Sequence, residues 1–194
     1  MWVTGKWVSI DEQTLGVKGK HGMKLHILYK REGDRFQCDA VCNMGYTFLF
    51  YFRHGNVPNL PPQFKYLDLL PTARRVEWLA LRLSNHWTSI FMDNLFNSRK
   101  LFTVLYLAKC MAHGVTRSSG RGLCADIIQR EEKYKKKAEL LCGATKAARF
   151  LNYKECPDLL SVSIYNTKPV NMMSTVESDV SWVEKTRKVW SAVH

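Results

Sequence analysis

Nowhere in this 194-residue chain does an apolar run approach the roughly 20 residues that a helix needs to cross a bilayer. The longest, Phe48 to Phe52, is closed by Arg53. The first residues, Met1-Trp2-Val3-Thr4-Gly5-Lys6, contain no apolar core of a secretory signal. The expectation is a chain that is neither exported nor embedded in a membrane. Acidic side chains are scarce: 17 Asp and Glu face 29 Lys and Arg, for a formal net charge of +12. A surplus this large points to an anionic partner, nucleic acid being the commonest, although a solvated basic surface without a partner gives the same count. The surplus is heavier in the second half of the chain.

Metal and nucleophile signatures are also missing. The six cysteines (Cys38, Cys42, Cys110, Cys124, Cys142 and Cys156) include no C-x-x-C pair, so no zinc is expected. Cys38 and Cys42 lie in an alternating apolar stretch and read as small core residues. Scattered thiols of this kind suit a reducing compartment. Gly114 to Gly120 lacks the Gly-Lys-Ser/Thr ending of a P-loop, and neither G-x-S-x-G nor H-E-x-x-H occurs. His26, His54, His86 and His113 read as structural or surface residues. There is no internal repeat and no low-complexity tract.

What is present is a regular alternation of elements. Apolar content of 46% is enough for a core. Trp7 to Asp11 reads as a short strand ending in a carboxylate, followed by a Gly/Lys loop from Gly16 to Gly22. Leu25 to Tyr29, Phe36 to Cys42 and Tyr46 to Phe52 alternate as strands. The turn residues Glu32-Gly33-Asp34 and Asn43-Met44-Gly45 separate them. Asn56 to Pro62, with three prolines, is loop. Pro71-Thr72 opens a helix whose inner face is Val76, Leu79, Ala80, Leu83 and Trp87. Ser89 to Asp93 is a second short strand ending in a carboxylate. Ser98 caps a helix that places Leu101, Leu105 and Ala108 inward, and Met111 to Thr116 is a strand leading into the basic loop Arg117 to Gly122. Leu123 to Leu141 reads as a helix, and residues 144–176 as short strands limited by Pro157 and Pro169. The expected architecture is an α/β mixed sheet flanked by helices.

Two segments share one design: Val8-Ser9-Ile10-Asp11 and Ile90-Phe91-Met92-Asp93 are apolar strands closed by aspartate. A carboxylate at the edge of a buried strand is costly unless paired, hydrogen-bonded or bound to metal. On adjacent strands the two would lie together, and Mg2+ favours carboxylate oxygens and water. Paired metals about 3.5–4 Å apart can clamp the attacking and leaving oxygens of a phosphoryl transfer. On spacing alone, Asp-Glu and Asp-Asn after a strand are equally ordinary turn and cap residues. A pair of glycosidase carboxylates is conceivable, but the basic charge suits a sugar substrate badly.

The longer blocks carry a resemblance. Ser9-Ile10-Asp11-Glu12-Gln13 with Gly19-Lys20 resembles the first catalytic block of piggyBac transposases and their domesticated relatives. Met92-Asp93-Asn94-Leu95-Phe96-Asn97-Ser98 resembles the second, and His113 to Arg117 with Gly120 to Leu123 resembles the strand and basic loop that come next. Ser163 to Val170 and Trp182 to Trp190 are similar to later blocks of that family, so the likeness spans nearly the whole chain in order.

The resemblance implies an RNase H-like fold, with residues 1–122 forming the core and residues 123–194 an insertion segment with a helix and short strands. It implies a DDD-type enzyme in which three aspartates hold two Mg2+ ions, Asp11 being the first and Asp93 the second. The third belongs to an Asp-Tyr-Asn and Val-Asp pattern that this sequence lacks; Asp126, Asp158 and Asp179 all come too early for it. The final helix of the fold is accordingly expected to be missing. Lys18, Lys20, Arg117 and Arg121 become the candidate phosphate contacts. The implied partners are transposon-end DNA and a TTAA target, with a homodimer and nuclear location among the expectations. Little activity is expected from the chain alone. The alternative is a domesticated module that binds DNA or protein and catalyses nothing.

Overall fold

The computed structural model describes residues 5–26, 34–53, 69–83, 88–117, 123–127, 145–149, 154–165 and 168–176. Strand β1 (Trp7–Gly16) alternates as the sequence demands, with Val8 and Ile10 buried and Trp7, Ser9 and Asp11 exposed. Asp11 does not end it, contrary to expectation. The strand runs five residues further because its other edge stays paired to β3 (Asp34–Asn43), from Ser9↔Cys42 to Gly16↔Arg35. Only Leu25–His26 of the strand expected over residues 25–29 is described, as β2, and it lies antiparallel to the start of β3. A tight turn at Met44 (φ 48°) and Gly45 (φ 81°) joins β3 to β4 (Tyr46–Phe52). The expected loop at residues 56–62 lies outside the described residues.

Helix α1 (Pro71–Ala80) starts with proline at its first turn, where a missing N–H costs nothing. It stops at Ala80, so Leu83 falls beyond it, and Trp87 lies outside the described residues. Strand β5 (Ser89–Met92) ends just before Asp93, as expected. Ser98 caps helix α2 (Arg99–Leu107) by accepting the Leu101 N–H at 3.3 Å. Next comes β6 (Met111–Thr116). Of the helix expected from residue 123, the described part is one 3-10 turn, Ala125–Ile127. The later strands are β7 (Thr145–Arg149), β8 (Leu160–Tyr165) and β9 (Pro169–Ser174).

These strands form one mixed sheet in the order β2-β3-β1-β5-β6-β9-β8-β7, with β4 also on β3. The pairs β1/β5 and β5/β6 are parallel and the others antiparallel, so the strands after residue 144 continue the same sheet through β9 beside β6. α1 packs on β3 and β4, and α2 on β6. Ile10, Val41, Ile90 and Ala112 of the sheet meet Val76 and Leu79 of α1 and Leu101, Phe102 and Leu105 of α2 in one buried cluster. At about 25 cal/mol per Å² of apolar surface, that cluster is the main stabilising term of the fold. It also fixes which face of β1 and β5 looks outward.

Candidate functional site

The parallel register of β1 and β5 runs Trp7↔Ser89, Val8↔Ile90, Ser9↔Phe91 and Ile10↔Met92. Asp11 follows Ile10 and Asp93 follows Met92, so the two carboxylates stand one residue past the same rung of neighbouring strands. Because Val8, Ile10, Ile90 and Met92 are buried against the helices, the alternation of β1 turns Asp11 to the opposite, open face. Both aspartates are exposed. The Glu12 backbone N–H donates to Asp11 Oδ1 at 2.7 Å.

Asp93 opens a short turn in which the Phe96 N–H donates to the Asp93 carbonyl at 3.2 Å. Phe96 drops into the core. The Asn97 side chain reaches across to β6, donating to the Val115 carbonyl at 2.6 Å and to the Met92 carbonyl at 3.4 Å. Space for it exists because position 114 is glycine. A Cβ there would stand 2.2 Å from Asn97 Nδ2 and 2.5 Å from the Met92 carbonyl oxygen. Arg117, one residue beyond β6, donates from Nε to Asn94 Oδ1 at 3.3 Å and so is tied to the Asp93 turn. Asn97 and Gly114 stand in the sequence blocks that carry the resemblance, but the sequence alone gives neither a role of its own. An isolated glycine within a strand was the available signal, since it marks a close approach of backbone.

Strand β1 is held from behind. Glu12, facing the other way from Asp11, forms an ion pair with Arg53. Arg53 also grips Asp39, which has no exposed surface, and Arg75 of α1 reaches the second oxygen of that carboxylate at 2.6 Å.

The remaining candidates lie elsewhere. Lys18 and Lys20 are exposed in the loop after β1, where Gly19 takes φ +105°. Gly19, Lys20, His21, Gly22 and Lys24 line an open recess of about 470 Å³ there. His21 stacks edge-on against Phe36, and its Nδ1 accepts the Met23 N–H at 3.2 Å. Arg121 and Asp179 lie outside the described residues. Asp158 receives the Tyr106 hydroxyl at 2.8 Å, a bond that pushes the tyrosine's pKa up. Asp126 sits in the 3-10 turn beside Cys124. Among the described residues no three His, Cys, Asp or Glu side chains group as a metal cage. Asp11 and Asp93 are the carboxylates that could hold a cation here, and Mg2+ is commonly bound by one or two carboxylates together with water and substrate phosphates.

A mixed sheet with Asp11 and Asp93 one residue past the last β1/β5 rung, and helices packed on it, has the RNase H-like arrangement. Over 94% of its length the chain matches piggyBac transposase, solved as a synaptic complex with hairpin DNA, at TM-score 0.67 and 23% identity. It spans 35% of that longer chain. Residues 1–192 match the family model described as Transposase IS4, and the chain belongs to that transposase family. No curated protein matches it. DDE-type transposases of this kind generally work with divalent metal.

Proposed function

We propose that this chain is the aspartate-bearing strand cluster of a piggyBac-type DNA transposase, with Asp11 and Asp93 jointly holding Mg2+ for phosphoryl transfer on DNA. One observation supports the reading: the pairing of Ile10 with Met92, after each of which the chain continues with an aspartate. When bound, the metal would polarise the scissile phosphate and acidify the attacking water.

The chain's own residues position and neutralise. The two carboxylates hold the cation at the open face, and Lys18, Lys20, Arg117 and Arg121 bind backbone phosphates. In the first step water oxygen bonds to phosphorus and the P–O3′ bond breaks, freeing a 3′-hydroxyl. In a complete enzyme that hydroxyl attacks the opposite strand to close a hairpin, and the transposon end is later joined to a TTAA target. Such work belongs in the nucleus and calls for a paired assembly of two copies. With Asp11 and Asp93 as its only ligands a second metal would be poorly held, so two-metal strand transfer would call for a further carboxylate.

Titrating Mn2+ into the wild type, Asp11→Asn and Asp93→Asn tests the reading. Binding in the wild type that weakens at least about tenfold in each variant supports it; identical curves overturn it. A second reading, a non-catalytic DNA-binding derivative of such an enzyme, is favoured by the lack of a third acidic, His or Cys side chain at the pair among the described residues. It predicts DNA affinity that falls steeply with salt but no metal response.

A further inference from the structure

We infer that Asn97 is the positioning residue for Asp93, acting through a clamp onto the backbone of β6 that glycine at 114 makes possible. The inference rests on the reading of Asp93 as a metal-holding carboxylate.

The ladder between β5 and β6 stops at Met92↔Gly114, so the sheet itself does not secure Asp93. The turn that carries it is tied down from its far side. Phe96 is buried in the core, and Ser98 caps α2. Between them Asn97 puts one Nδ2 across the strand gap, at 2.6 Å from the Val115 carbonyl and 3.4 Å from the Met92 carbonyl. The amide bridges the last paired rung to the turn, and its two acceptors belong to the two strands whose spacing fixes where Asp93 leaves the sheet. The second tie, Arg117 Nε to Asn94 Oδ1 at 3.3 Å, is longer than the 2.6 Å Asn97–Val115 bond and comes from an exposed side chain.

The chemistry asks for a donor on a short side chain. Asn97 Oδ1 is buried without a hydrogen-bond partner, so the donor half of the amide does the holding. An aspartate at 97 would press carboxylate oxygen against two carbonyl oxygens, repelling both. A serine keeps one donor but falls short of bridging both strands. Any Cβ at 114 would occupy the place of Nδ2 itself and also crowd the Met92 carbonyl.

The test uses the whole chain, with two readouts. Amide hydrogen exchange of Phe96, whose N–H closes the turn onto the Asp93 carbonyl, reports the clamp without any metal. Mn2+ affinity reports its consequence. Asn97→Ala should speed Phe96 exchange at least tenfold while the core amides of Val104 and Ala112 change less than twofold, and weaken Mn2+ binding about tenfold, the usual scale for a residue one step behind a metal ligand. Asn97→Ser, the milder change, should fall between Asn97→Ala and the wild type, and serves if the alanine variant does not fold. Unchanged Phe96 exchange overturns the inference, as does unchanged Mn2+ affinity in a variant whose Phe96 has loosened. If the wild type and Asp93→Asn respond alike to Mn2+, the metal reading fails, and Phe96 exchange alone then decides whether the clamp exists.

Discussion

Arg53 holds Asp39 through two donors on one oxygen, Nε at 2.8 Å and Nη2 at 2.6 Å, and the carboxylate so held is wholly buried. Arg75 of α1 takes its other oxygen at 2.6 Å, while Arg53 also pairs with Glu12 on β1. The network joins α1, β3 and the strand that carries Asp11.

Removing the central carboxylate leaves the Arg75 guanidinium without its carboxylate and Arg53 with Glu12 alone. Breaking a fully buried pair costs about 3–5 kcal/mol, and the part-exposed arginines, one still paired with Glu12, put the expected loss at or below the lower end of that range. Asp39→Ala should therefore lower the urea midpoint strongly. Asp39→Asn keeps the shape and half of the acceptors and should cost less. Arg53→Lys loses the forked geometry and should fall between the two. Equal midpoints for the wild type and Asp39→Ala would show that the network carries no stability.

The end of β5 before Asp93 was readable because a short apolar run closed by a carboxylate is a local pattern, and so is the alternation that buries Val8, Ile10, Ile90 and Met92. The helix cap at Ser98 was equally local. The Asp39 network was not readable: Asp39 sits in a strand that alternates like any other, and its partners are 14 and 36 residues away. Nor did the pattern mark where β1 ends, because the strand is continued by β3 on one edge after β5 has left the other. The end of α1 was overrun in the reading because Leu83 keeps the helical spacing after the backbone has turned at Leu81 and Arg82. Tertiary pairing decides such boundaries, and spacing alone does not.

Salt dependence gives a prediction for the Lys loop. Each phosphate neutralised by a lysine adds about 0.9 to the slope of log affinity against log salt. Replacing Lys18 and Lys20 by alanine should therefore flatten that slope by about 2 for duplex DNA, weakening all sequences alike. Arg117→Ala should do more than remove a charge, since its Nε also supports Asn94. Filter binding or anisotropy across a salt series measures both. An unaltered slope in the double variant would remove the loop from the DNA surface.

Glu77 on α1 is almost fully buried, and its Oε1 has no hydrogen-bond partner. Burial pushes its carboxyl pKa above the usual range, with Arg74 pulling partly the other way. A raised value means the folded state holds the proton more tightly. The stability this gives is complete below the ordinary carboxylate pKa and is lost as pH rises through the folded value, so the ionised group is a liability at neutral pH. Glu77→Met, of similar length, should stabilise the fold by about 1–3 kcal/mol at pH 7, the cost of a buried polar group without a partner. The gain should shrink as pH falls into the acid range. Denaturation curves at pH 7 and pH 4 check it; a destabilised methionine variant at neutral pH would mean that Glu77 is held by contacts worth more than its burial costs.

Two thiols provide a probe from the alkaline side. Cys110, between α2 and β6, has its pKa pushed up to about 11 by burial. Cys156 is pushed up to about 12 by burial and by the nearby Asp158 charge, partly offset by a hydrogen bond from the Leu159 backbone. Both values exceed the ordinary 9.0, so the neutral thiol is the form the fold prefers. Their contribution is complete below pH 9 and declines as pH rises toward 11 for Cys110 and 12 for Cys156, by up to about 1.4 kcal/mol per pH unit for each group. The thiolate is the reactive species, so neither residue should alkylate in the native chain at pH 8, whereas both should react once urea unfolds it. Cys110→Ala and Cys156→Ala should each cost stability at pH 8 through lost packing, yet flatten the fall in melting temperature between pH 9 and 10.5. Rapid native-state alkylation of either thiol at pH 8 would place it outside the core that fixes the strand ends.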